Sequence, residues 1–99
     1  MQIIINGILW NILFVNPYDK NLITDTGIFT LGMTDNNIKT IFISNVIEGE
    51  LLLDVLTHEL CHAYIFSYNI PYNIDEEERV CQFVGKFCNP ILEHSRIVL

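Results

Sequence analysis

The sequence predicts an α+β fold: a small, mostly antiparallel sheet of three or four strands packed on two helices. Three observations carry that expectation. Residues 1–44 hold short β-branched and aromatic runs separated by turn signals, the pattern of a sheet. The stretch from Glu50 to Phe66, ELLLDVLTHELCHAYIF, contains no Gly or Pro and places apolar residues at helical spacing. A second helical stretch runs from about Ile74 or Asp75 to Cys88. The 99 residues suffice for one domain, 1–99, with one modest core.

Gln2 to Ile5 reads as the first strand, and Asn6-Gly7 is a strong hairpin signal. Ile8 to Val15 is the returning strand, with Trp10 and Phe14 among its core candidates. Asn16-Pro17-Tyr18-Asp19 ends it, and 19–28 is a polar loop. Phe29 to Met33 is a short strand, Asp35-Asn36-Asn37 a turn, and Lys39 to Ser44 the next strand. In the first helix, Leu52, Leu53, Leu56, Leu60 and Ala63 form the expected buried stripe. Ser44 or Asn45 is the expected cap, with Glu48 near it. Pro71 disfavours helix at Ile70, so 67–73 is a loop. Asn73 or Asp75 caps the second helix, whose apolar face is Val80, Phe83, Val84 and Phe87. Asn89-Pro90 is expected to stop or interrupt it, leaving Ile91 to Leu99 for a short extra helix.

Twelve acidic against five basic residues leave a formal charge of −7. That balance disfavours nucleic acid or an anionic membrane as a partner. Cys61, Cys81 and Cys88 are an odd set without a Cys-x-x-Cys pair, which argues against a disulfide scaffold and for a reducing, cytoplasmic setting. Their expected role is packing. The N-terminal apolar run lacks a preceding basic region and a cleavage pattern, and Asn6, Asn11 and Asn16 interrupt it. It is expected to be neither a signal peptide nor a membrane span.

Inside the first helix lies HELCH, residues 58–62. His58 and His62 are four apart, so their imidazoles stack on one helix face and can converge on one cation. Glu59 points to the side of the pair, where a general base can work on water without taking a coordination position. The cation this pattern calls for is Zn2+. Two histidines leave a catalytic zinc site short of one protein donor. The candidates are His94 and the carboxylates Glu76, Glu77 and Glu78, on a helix able to return antiparallel. Glu77 precedes Val80 by three, Cys81 by four and Val84 by seven, which puts it at the top of the apolar stripe and makes it the expected third ligand. Glu76 is the runner-up, and Glu78 is less well placed.

HELCHAYIF (58–66), followed by Glu77 with Val80 three on and Phe83 six on, resembles the motifs of small zincin-like metallopeptidases. More closely, the chain is similar to compact phage or mobile-element relatives of the ImmA/IrrE metallopeptidase family, over roughly residues 30–88. The resemblance implies a short sheet before the motif helix, a glutamate from the following helix, and zinc-dependent hydrolysis of peptide bonds in a protein or peptide substrate. Some relatives act on transcriptional repressors, so a regulatory protein is a substrate to consider. The family's Leu-Met-Pro-like segment after the second helix is missing, and Cys88-Asn89-Pro90 stands there instead. On this reading Glu59 takes a proton from a metal-activated water and passes it to the leaving amine. Tyr72 or Tyr68 would donate to the developing oxyanion, and Asp54, one turn before His58, would orient a ligand histidine. A substrate strand would add to the exposed edge at Phe29 to Met33. The alternative is a metal-binding regulatory or interaction protein without catalysis.

Overall fold

The computed structural model describes all of residues 1–99. It contains strands β1 (Gln2–Ile5), β2 (Ile8–Val15), β3 (Gly32–Asp35) and β4 (Thr40–Ser44), and helices α1 (Gly49–Ser67) and α2 (Ile74–Val98). A short 3-10 turn, Lys20–Leu22, lies in the connection between β2 and β3. Asn6 and Gly7 both take positive φ, 49° and 75°, as the tight β1–β2 turn requires. No helix is long and apolar enough to cross a membrane.

The sheet has four strands in the order β1-β2-β4-β3, and it is mixed. The expected run of antiparallel neighbours is broken at its centre: β2 and β4 pair in parallel, Ile12 opposite Ile41 and Phe14 opposite Ile43. The connection 16–31 accounts for this. It is long enough to carry the chain past the place beside β2 and into β3 at the far edge, running antiparallel to β2. β3 then turns back through a hairpin into β4, beside β2. The edge strand begins at Gly32, later than expected, because Phe29 only bridges to Ile23.

All five residues of β4 are buried, so both of its faces are covered. Ile41 and Ile43 face α1 and join Ile5, Trp10, Ile12 and Ala63 in the core. Thr40, Phe42 and Ser44 point to the other face. The 3-10 segment packs on β3 and β4, with Leu22 fully buried. Leu52, Val55, Leu56, Leu60 and Phe66 pack onto the core from α1, whereas Leu53 is exposed. Ser67 pins the far end of α1: Trp10 Nε1 donates to its hydroxyl at 2.8 Å, and Asn6 Nδ2 donates to its carbonyl at 2.9 Å. That carbonyl has no partner within the helix.

The helix boundaries correct two expectations. Glu48 is the N-cap of α1, without a side-chain cap bond, so neither Ser44 nor Asn45 caps it. α2 runs through Pro90 to Val98. The proline removes one bond to the Lys86 carbonyl, but it sits where the helix reaches the surface and water can replace that bond. Asn89 holds the turn before it to α1, through Nδ2 to Thr57 Oγ1 at 3.3 Å. At the other end, Asn73 and Glu76 form a capping box.

α1 and α2 pack antiparallel, with Gly85 at their closest approach. A Cβ at Gly85 would lie 2.8 Å from His58 Cβ and 3.2 Å from both His58 Cα and Asp54 O. These are backbone and near-backbone atoms, which cannot rotate away. Gly85→Ala is expected to destabilise the fold by about 1–2 kcal/mol, because overpacking outweighs the roughly 1 kcal/mol gain in helix propensity. Denaturant unfolding checks this; a variant as stable as the parent would contradict the close-packed interface.

Candidate metal and catalytic site

His58 and His62 occupy successive turns of α1, and their Nε2 atoms lie 3.3 Å apart. The capped start of α2 brings three glutamates alongside them. Glu78 reaches the focus: Oε1 is 3.1 Å from His58 Nε2, and Oε2 is 3.3 Å from His62 Nε2. Glu77 instead accepts from His62 Nδ1 at 2.6 Å, on the far side of the ring. Glu76 Oε1 accepts from the Asn73 backbone N–H at 3.1 Å and is spent on the capping box.

Glu78 therefore completes the His58–His62 group in this structure, where Glu77 was expected first and Glu76 second. Glu77 does lie on the interface side of α2, with its side chain only 17% exposed, but the focus of the two imidazoles opens toward solvent. The neighbouring residue, 47% exposed, is the one that faces it. His94, on the exposed last turns of α2, takes no part in the cluster.

The donor set fits a divalent cation. A Glu77 oxygen lies 2.6 Å from His62 Nδ1, and Glu78 Oε2 lies 3.3 Å from its Nε2. Two imidazole nitrogens and a carboxylate facing one another are donors that a divalent cation accepts. Donor atoms bonded to tetrahedral zinc at about 2.0–2.1 Å stand about 3.3 Å apart. Here the two Nε2 atoms stand 3.3 Å apart and each meets a different Glu78 oxygen, Oε1 3.1 Å from His58 and Oε2 3.3 Å from His62, while one donor atom from each residue lies within 4.8 Å of the others. A carboxylate on the second ring nitrogen is the usual device for fixing the tautomer of a metal-binding histidine. Glu77 stands at that nitrogen of His62, whereas Asp54, the residue expected to orient a ligand histidine, lines the cleft and bonds neither imidazole.

Glu59 is buried, with Oε2 4.0 Å from His58 Nε2. Thr34 Oγ1, on β3, lies 2.9 Å from Glu59 Oε1 and 3.0 Å from the Glu59 carbonyl, within donating distance of both. Burial pushes the Glu59 carboxyl above its ordinary range, and the nearby Glu78 charge adds to this; the Thr34 bond and the two imidazoles pull it back. Gly32 makes room for it, since a Cβ there would come within 2.9 Å of Glu59 Cγ and of Val55 Cγ1.

A cleft of about 550 Å3 opens over this group. One wall is Thr30 to Met33, the floor is Asp54, Val55, His58, Glu59 and His62, and the other wall is Glu78, Gln82, Gly85 and Lys86. Leu31 O accepts from Ser44 N at 2.9 Å, so by alternation the backbone groups of Gly32 and Thr34 point away from β4, along a free edge. The tyrosines expected as oxyanion donors are outside this cleft. Tyr68 stacks on Tyr64, and Tyr72 lines a separate hollow with Phe66 and Glu77.

Thr34, Gly32, Gly85 and Gln82 escaped the sequence reading. Gly85 carried a signal, a glycine inside a helical pattern, where only close packing explains its cost. The others depend on contacts between distant segments. No protein-family model, curated protein or solved structure matches the chain.

Proposed function

We propose that the chain is a zinc-dependent metallopeptidase, a minimal zincin-like enzyme akin to the compact relatives of the ImmA/IrrE family. The observation that supports it best is the convergence of His58, His62 and Glu78 beside the buried carboxylate of Glu59. His58 Nε2, His62 Nε2 and the Glu78 carboxylate would hold the ion. A bound zinc ion supplies Lewis acidity, making water acidic near neutral pH and polarising a carbonyl.

The remaining work falls to the chain's own residues. Glu59 accepts the proton of the attacking water and delivers it to the leaving amine. Its burial raises its basicity for that task, while Thr34 holds Oε1 and leaves Oε2 on the histidine side. Glu77 keeps the His62 proton on Nδ1, so that Nε2 offers its lone pair. The free edge of β3 receives an extended peptide by strand addition, with Gly32 and Thr34 supplying main-chain partners. The three free cysteines accord with a reducing compartment, and the substrate is a protein or peptide, with a regulatory protein among those the resemblance offers.

The test is cleavage of denatured casein by the zinc-loaded chain. Fragments should appear, vanish with a chelator and return with zinc. A chain shown to hold zinc that leaves the protein intact would sink the reading.

A further inference from the structure

The cleft has one basic residue on its walls. Glu78, Gln82 and Lys86 are spaced four apart on α2 and line the same opening. The other charged groups of the lining, apart from the histidines, are the acids Asp54, Glu59 and Glu78. Every ion pair in the structure involves His58 or His62, so Lys86 has no carboxylate partner. Its ammonium lies over the exposed Phe87 ring, 5.7 Å from the ring centre, a contact that solvent exposure keeps weak. The chain has five basic residues against twelve acidic, and an acidic cleft repels acidic peptides. A cation on its wall without a carboxylate partner reverses that repulsion at one place.

The distance defines the place. Eight residues of helix separate Glu78 from Lys86, about 12 Å along the axis. An extended peptide rises about 3.3 Å per residue, so a chain with its reacting bond at the histidine focus meets Lys86 about two to four residues away. The opposite wall, Thr30 to Met33, keeps such a chain on course. Gly32 lies against Val55 and Glu59, and Thr34 against Glu59, so β3 and α1 run in the same sense and Thr30 marks the Asp54 end, where Gly85 packs.

We propose that Lys86 sets specificity by binding a carboxylate of the peptide, either an acidic side chain or the chain end, about two to four residues from the scissile bond. This rests on the peptidase reading above. The zinc-loaded full chain is mixed with a library of random peptides, half of them amidated at the C-terminus, and cut sites are read by mass spectrometry. Asp or Glu should be enriched at that spacing on one side of the cut by about five-fold, the most that an exposed charge pair supports. Lys86→Gln should abolish the enrichment, and Lys86→Glu should replace it with Lys and Arg. If the bound group is the chain end, cuts will instead cluster at that spacing from free C-termini and disappear in the amidated half. Cuts without either preference, or a preference unchanged in Lys86→Glu, would overturn the assignment and leave the peptidase reading standing. No cuts by the zinc-bound chain would overturn both. Lys86 is exposed, so both variants should keep the parent's circular dichroism spectrum.

Discussion

Glu59→Gln is expected to lower the hydrolytic rate by about 10²–10⁴-fold, the usual share of a general base, while zinc stays bound. The substitution keeps the shape and the Thr34 partner at Oε1 but removes the proton acceptor. Glu59 makes the closest approach of its carboxylate to His58 Nε2 at 4.0 Å, beyond the distances of the Glu78 contacts, so the donor set survives. The parent structure also buries this carboxylate at a cost, since burial disfavours its charged form. The variant should therefore be as stable as the parent or more so. Single-turnover cleavage, zinc content and denaturant unfolding read the three quantities separately. Full activity in the variant would remove Glu59 from the chemistry.

Glu78→Gln and Glu77→Gln are expected to separate two kinds of carboxylate. Glu78 faces both imidazole Nε2 atoms, so its loss removes a donor and the charge that offsets a cation. Glu77 touches only His62 Nδ1, so its loss relaxes the orientation of one ring. A partner of that second kind is worth about 10–100-fold in metal affinity. Zinc affinity in Glu78→Gln should fall further than in Glu77→Gln, as measured by competition with a coloured chelator. The reverse order would return the third position to Glu77.

That distinction shows where sequence reading reaches its limit. The helix around HELCH was legible because residue types and four-residue spacing act within one element. The Asn6-Gly7 turn and the Asn73 cap were legible for the same reason. The choice between Glu77 and Glu78 was not, because one residue is about 100° of helix rotation and the rotation is set by packing. Gly85 against His58 fixes that packing, and no periodicity reveals which helix lies against it. The parallel pairing of β2 with β4 was hidden likewise, since the alternation in KTIFIS is the same in either direction. Pro90 misled by a sound local rule, overridden where the helix is free at the surface.

Diffraction from zinc-soaked crystals at the zinc absorption edge addresses the central claim most directly. One anomalous peak per chain is expected between His58 Nε2, His62 Nε2 and a Glu78 oxygen, at about 2.0–2.2 Å from each, with one position open to the cleft. No peak there, or a fourth protein side chain closing the coordination, would contradict the account.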